Sequence, residues 1–140
     1  MLKLLERTQE STNKWIFRVK DQINGAANDS RITGATASIR GGSGFAAFAA
    51  AKFGLRALAQ SMARELAPEN IHVAHLIIDG AIDSEAIHRR LSAATGAMPD
   101  LAPDSLIQTS SIAEAYWALH NQSRDGWTHE LDLRPYSERW

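Results

Sequence analysis

The chain has 140 residues, 44% of them hydrophobic and 22% charged, with a formal net charge of -1. This composition predicts one soluble globular domain with a real core. The absence of clustered Lys and Arg argues against a nucleic-acid partner. The lack of cysteine excludes disulfides, thiol nucleophiles and thiolate metal sites. No apolar run resembles a signal peptide or a membrane span, so we expect a cytoplasmic protein with no membrane partner.

Residues 1–29 are predicted to form a divergent, helical N-terminal segment. Trp15, Ile16, Val19 and Ile23 recur at helical spacing, and an Asn-Gly pair directly after them supplies a stop signal. The stretch "GAANDS" that follows is typical of a loop.

A strand and a long helix are predicted next. "SRITGATAS" indicates a short strand, and residues 45–66 indicate an alanine-rich helix that ends before Pro68, which cannot continue the helical hydrogen bonds. Because so many alanines leave flat faces on more than one side, we expect this helix to be covered on both sides.

The remaining elements alternate in the same way. "IHVAHLIID" is apolar through most of its length, as in a strand buried on both faces of a parallel sheet, and "SEAIHRRLSAA" predicts a short helix ending at Gly96. "SIAEAYWALHNQ" predicts another helix, capped by Ser110 or Ser111 with Glu114 completing a capping box. "GWTHELDLRP" alternates as a last strand. This order predicts an α/β fold with a short parallel sheet and helices on both faces.

With these pieces in place, the chain from about Ser30 to Pro135 resembles the C-terminal half of a short-chain dehydrogenase/reductase. "FAAFAAAKFGLRALAQSMAREL" lies over the helix that carries the family's Tyr-x-x-x-Lys signature, and "ENIHVAHLIIDGAIDS" is similar to the next strand and loop. "SSIAEAYWALHNQ…WTHELDLRP" matches the closing helix and strand. The resemblance implies that residues 30–140 are the later half of a three-layer Rossmann-type domain that uses NAD or NADP.

The resemblance also implies a set of site residues. Lys52 matches the signature lysine, which lowers the pKa of the tyrosine and holds the nicotinamide ribose, while Phe48 stands at the tyrosine position. Gly80, Ile82 and Ser84 match the loop that lies against the nicotinamide in the family. A lysine whose ammonium simply reaches solvent from an apolar helix face is the alternative interpretation of Lys52.

Two members of the catalytic set are replaced. Phe48 has no hydroxyl and cannot transfer a proton, and the serine that holds the substrate oxygen, 13 residues before Phe48, falls on Ala35. Thr36 and Ser38 are nearby, but a shift of one residue on a strand points to the opposite face. Loss of the acid alone costs about 10²- to 10⁴-fold in rate, so we expect no ordinary family chemistry.

The cofactor loop of the family is not recognisable either. "TGATASIRGGSG" imitates the glycine-rich pyrophosphate loop, but Ser38 and Arg40 stand where glycines are needed, so we interpret it as a loop leading into the helix. No acidic residue follows a second strand to hold the adenosine ribose. We therefore expect weak or absent binding of NAD or NADP.

Other chemistries are weaker. His72 and His75 lie three apart on a strand and face opposite sides, so they cannot share a metal, and we predict no metal site. We expect the five histidines to be surface or strand-end residues, and Asp79 and Asp83 to cap the following helix. We also predict that three tryptophans pack the closing helix and strand: Trp117, Trp127 and Trp140.

Three functional hypotheses remain. The first is an NAD(P)-dependent oxidoreductase-like protein, inactive as this chain. The second is a non-catalytic binding or dimerisation protein, because in the family the helix carrying the lysine and the helix before it form a dimer interface. The third is a truncated gene product. An unpaired sheet edge and apolar helix faces predict a homo-oligomer in each case.

Overall fold

A five-stranded sheet runs through the part of the chain that the computed structural model describes, residues 6–10, 14–19, 28–97 and 99–138. Its strand order follows the chain, β1-β2-β3-β4-β5. The strands are β1 (Glu6–Glu10), β2 (Lys14–Val19), β3 (Asn28–Thr33), β4 (Ile71–Ile78) and β5 (Glu130–Leu133), and the helices are α1 (Ala46–Leu66), α2 (Glu85–Thr95) and α3 (Thr109–His120).

The last three strands confirm the predicted parallel sheet. β3 pairs parallel with β4, and β4 pairs parallel with β5, so β4 lies at the centre of the parallel part. Alternate side chains of β4 enter two cores. Val73 packs with Ile32 and Ala59 under α1, whereas Leu76 and its neighbours pack under α3 on the other face. The α/β architecture with helices on both faces of a short parallel sheet is that of a partial Rossmann-like fold.

The N-terminal strands correct the helical prediction for residues 1–29. Where the structure describes that segment, it forms an antiparallel hairpin of β1 and β2, and β2 pairs antiparallel with β3. Trp15, Ile16 and Val19 therefore lie on a strand, and Ile23 lies outside the described residues. β-branched and aromatic side chains suit strands, and the exposed edge of β3 supplies hydrogen-bonding partners that helical spacing cannot reveal. The expectation that this edge is unpaired is wrong.

Helix α1 has the predicted extent, but no described residue covers its outer side. Ala49 and Ala59 are buried against the sheet side, whereas Phe48, Phe53 and Leu58 keep 48%, 42% and 42% of their surface exposed. Alanine faces allow close packing on two sides, yet the described residues supply a neighbour on only one.

Capping of the later helices differs in part from the prediction. Helix α2 ends at Gly96, as predicted, with Gly96 in the left-handed conformation, but its cap is the side chain of Ser84 rather than Asp79 or Asp83. Helix α3 instead begins after Gln108 with no side-chain cap, so the predicted caps at Ser110 and Ser111 lie inside it. A bridge between Ile107 and Ile82 holds the chain directly before α3, and this tertiary contact decides where the helix starts. No helix in the described residues is long and apolar enough to cross a bilayer.

Candidate functional site

The carboxyl ends of β3 and β4 bring the predicted site residues to one edge of the sheet. Parallel neighbours end at the same edge, and the pairing continues past β3 because the Gly34 N–H donates to the carbonyl of Leu76 over 2.7 Å. Ala35 follows directly, and Gly80 lies at the corresponding end of β4. Ligands of open α/β sheets bind outside these strand ends.

Lys52 points to this edge rather than away from the sheet. Its half-buried side chain donates from Nζ to the carbonyl oxygen of Thr33, the last residue of β3, over 3.1 Å. The same Nζ lies 5.7 Å from the centroid of the Phe48 ring, one helical turn earlier. Burial lowers the pKa of Lys52. Nζ therefore lies at the end of β3, and its assignment as the site lysine stays a prediction.

The proton-transfer positions carry no hydroxyl at this edge. Phe48 is about half exposed and offers only a ring. Ala35 precedes a 3-10 turn in which the fully buried Ser38 accepts a hydrogen bond at Oγ from the Ala35 N–H, over 3.1 Å. Thr33 turns its hydroxyl to the other side of the sheet, where it bonds the Tyr116 hydroxyl. The hydroxyls of Ser38 and Thr33 are thus engaged in the fold.

The loop after β4 is closely packed. Gly80 has φ +156°, and a Cβ placed there would lie 2.6 Å from Cδ of Pro135, so only glycine fits. Ser84 is occupied as the cap of α2, its Oγ accepting from the Ile87 N–H over 3.4 Å. Ile82 forms a parallel bridge with Ile107. The three predicted loop residues therefore lie together between β4 and α2.

This edge fits the nicotinamide end of a dinucleotide. In the bridge, Ile107 makes both hydrogen bonds, accepting from the Asp83 N–H and donating to the Ala81 carbonyl. The N–H and C=O of Ile82 therefore face the other way, as one donor and one acceptor that match a primary carboxamide. The Lys52 ammonium has three N–H donors. One of them bonds the Thr33 carbonyl, which leaves two that could bond ribose hydroxyls.

Asp79 is a site-edge residue whose role was predicted wrongly. It does not cap α2, because it is fully buried and forms ion pairs with Arg134 at 3.1 Å and Arg40 at 3.4 Å. Arg40 also binds Glu138 at 2.8 Å. A carboxylate at the end of an apolar strand requires a counter-charge, which is the signal that could have revealed this cluster. Asp83 instead pairs with His88 at 2.7 Å.

A second buried group lies beneath α1. His75 is fully buried and bonds Glu130 through Nδ1 at 3.1 Å, and Arg56 grips the same carboxylate with two hydrogen bonds of 2.7 and 2.6 Å. Burial lowers the pKa of His75 despite the carboxylate, and the Arg56 hydrogen bonds lower the pKa of Glu130. Gly34 must lack a side chain here, since a Cβ would lie 2.4 Å from Nε2 of His75.

The opposite face of the sheet holds His72, which is also buried. Its ring stacks on Trp127 with centroids 4.8 Å apart, and Arg31 lies 3.3 Å from its Nδ1. The expectation that the histidines are surface or strand-end residues is wrong for His75, which is buried in the middle of β4, whereas His72 is buried but is the second residue of that strand. Trp117 is 66% exposed rather than packed, and Trp140 lies outside the described residues. The described residues contain no cluster of three or more metal-ligating side chains.

Comparison with known proteins identifies relatives with the same fold. The family model of the short chain dehydrogenases matches residues 32–94. A solved short-chain dehydrogenase from Rhodopseudomonas palustris is 49% identical, with a TM-score of 0.55, over 79% of this chain and 40% of that one. No curated protein matched the chain.

Two further solved structures share the fold at lower identity. An NADPH-bound short chain oxidoreductase from Pseudomonas aeruginosa PAO1, described as containing an atypical catalytic center, is 21% identical with a TM-score of 0.65, over 82% of this chain and 48% of that one. A 4-hydroxyisoleucine dehydrogenase complexed with NADH is 18% identical with a TM-score of 0.58, over 77% and 45%. The chain thus spans less than half the length of these relatives.

Proposed function

Since this chain belongs to the short-chain dehydrogenase/reductase family, matched directly over residues 32–94, we propose that it is an NAD(P)-dependent oxidoreductase-like protein that does not itself catalyse hydride transfer. The relatives that are described with NADPH and NADH support a nicotinamide cofactor as the ligand. The site residues support the loss of turnover.

One observation supports the proposal: Nζ of Lys52 lies at the strand end, and the two expected proton-transfer positions, Phe48 and Ala35, carry no hydroxyl. This Nζ bonds Thr33, while the neighbouring ring at 5.7 Å is that of Phe48. A bound carbonyl oxygen would meet neither a phenol nor, at Ala35, a hydroxyl. General acid catalysis and the oxygen-holding contact are both lost, and the first alone is worth about 10²- to 10⁴-fold in rate.

The remaining residues would bind rather than react. The nicotinamide, when bound, supplies hydride chemistry. Lys52 would hold ribose hydroxyls with its two remaining N–H bonds, and the backbone of Ile82 would orient the carboxamide. The turn at residues 34–38 is closed by the Ser38 side chain rather than by glycines, so it offers no cradle for a pyrophosphate. Affinity for NAD or NADP is therefore weak and comes from the nicotinamide end.

Calorimetry with NADH, NADPH and nicotinamide mononucleotide in its reduced form tests this. If only the nicotinamide end is bound, the mononucleotide binds as well as the dinucleotides, and Lys52→Met weakens all three. Leu58→Ala on the outer side of α1 is the control and leaves binding unchanged. Tight stoichiometric dinucleotide binding, or turnover of NADPH with a carbonyl substrate by the unmodified chain, would overturn the proposal.

A second function, assembly through α1, is favoured by the side of this helix that no described residue covers. Gly54, Ala57, Leu58 and Ser61 are all exposed and share one stripe at helical spacing, which allows a second helix to approach closely. We propose that two copies associate here. The predicted participation of a preceding helix has no counterpart among the described elements, where β3 and a 3-10 turn precede α1.

Sedimentation at micromolar concentration tests the association. The parent chain is expected to sediment as an oligomer, and Leu58→Glu, which places a charge in the stripe, shifts it towards monomer. Trp117→Glu is the matched control, since Trp117 is even more exposed but lies on α3. A folded monomer in the parent, or equal effects of the two variants, would contradict assembly through α1.

A further inference from the structure

The chain directly after β5, here called the C-terminal segment (residues 134–138), packs against the carboxyl edge of the sheet. Cδ of Pro135 fills the space beside Gly80, where an added Cβ would lie only 2.6 Å from it. The segment then turns, because the Glu138 N–H donates to the Pro135 carbonyl over 3.0 Å. The C-terminal segment therefore contacts one of the predicted site residues and then folds back on itself.

Arg40 ties this segment to the turn that follows β3. Its Nη2 lies 2.8 Å from Oε1 of Glu138 and 3.4 Å from Oδ1 of Asp79, the residue directly before Gly80. Asp79 is fully buried, but it also pairs with Arg134 at 3.1 Å. Because a buried carboxylate needs a counter-charge, the second arginine allows Arg40 to move away without leaving Asp79 unpaired.

The chain between Arg40 and α1 is open, and we call residues 41–44 the open turn. All four residues are exposed, and a Cβ added at Gly41 or Gly44 would meet no described atom within 4 Å. The position of the open turn is therefore set through Arg40 rather than by its own packing. The side chains of Arg40 and Glu138 are 36% and 30% exposed, so salt screens the attraction between them.

We propose that the Arg40–Glu138 ion pair is a latch that joins the open turn to the C-terminal segment at the carboxyl edge of the sheet, and that the latch opens as the ionic strength rises. When the latch is closed, the guanidinium of Arg40 spans from the turn after β3 to the end of β4. When it opens, the open turn and the end of the C-terminal segment are released, while Arg134 keeps the start of that segment on Asp79. Salt then controls access to this edge whether or not a nicotinamide binds there.

Brief digestion of the full chain with trypsin tests the latch. Trypsin cleaves after an arginine whose side chain enters its acidic specificity pocket, so the closed latch protects the Arg40–Gly41 bond. Cleavage after the exposed Arg124, followed by mass spectrometry in the same sample, is the internal reference. When opening is fast relative to cleavage, the ratio of the two initial rates follows the population of the open latch. Global unfolding would expose both bonds, whereas opening of the latch exposes only the first.

Glu138→Gln keeps the shape of the side chain but removes its charge, and it is expected to raise the ratio about two- to five-fold at low salt. Glu114→Gln makes the same change at an exposed position on α3 and leaves the ratio unchanged. Raising sodium chloride from about 0.05 M to about 0.5 M should move the parent chain towards Glu138→Gln and change that variant less.

Two results would overturn the proposal. One is a ratio in Glu138→Gln equal to that of the parent chain or of Glu114→Gln. The other is a ratio in the parent chain that does not change with salt, because an ion pair that salt does not weaken is not the latch proposed here.

Discussion

Phe48→Tyr provides a direct physical test of the site geometry. If the Lys52 ammonium lies beside the ring, it stabilises the phenolate and lowers the pKa of the new tyrosine below its ordinary value of about 10. Taking the 5.7 Å between Nζ and the ring centroid as the separation, Coulomb's law gives ~0.7 kcal/mol in a water-like dielectric and ~2.9 kcal/mol at an effective dielectric of ~20.

These energies correspond to a lowering of the tyrosine pKa by about 0.5 to about 2 units. Because Phe48 is 48% exposed, solvent screening favours the smaller end of that range. The phenolate stabilises the ammonium in return, so the two groups titrate as a pair, and Lys52→Met in the Phe48→Tyr background is the necessary comparison.

The assay is an ultraviolet titration of phenolate absorbance, with the parent chain subtracted to remove Tyr116 and Tyr136. Burial raises the pKa of Tyr116, which keeps its signal above the window of the new phenol. The new tyrosine is expected to titrate lower with Lys52 present than with methionine there. Identical titrations would show that the ammonium does not act on this position, and the assignment of Phe48 and Lys52 to one site would fail.

Two further predictions concern the buried groups under the site. Gly34→Ala should lower the free energy of unfolding by about 1 to 3 kcal/mol, because the new methyl would overlap His75. In urea unfolding, the double variant Gly34→Ala with His75→Ala should recover part of that stability. Gly54→Ala is the control, because Gly54 is an open helical position where the change should be neutral or stabilising. Stability should also fall in acid, because burial lowers the pKa of His72 and His75 in the folded chain. As the pH falls, the unfolded chain therefore takes up protons first. The contribution of the two neutral histidines to stability is full above about pH 6.5 and is lost as the pH falls below it. Urea midpoints at pH 7 and pH 5.5 check the sign, and equal midpoints would refute it.

Local sequence patterns determined most elements of the parallel part. The apolar run of β4 and the alanine-rich run of α1 are each uniform in character over many residues. Pro68 and Gly96 end their helices for backbone reasons that need no neighbour. The spacing of four between Phe48 and Lys52 places both on one helix face, so their proximity also follows from the sequence.

Tertiary structure decided what those patterns could not contain. The residues around Trp15 have both helical spacing and strand-forming side chains, and pairing of β2 with the edge of β3 selects the strand. Asp79 has no local sign of its partner Arg40, 39 residues away, nor His75 of Glu130, 55 residues away. The periodicity of a sequence indicates which side of an element is apolar. Which charges meet across a buried face depends instead on how distant segments pack together. This is because a charge can be buried only where the fold places its partner beside it.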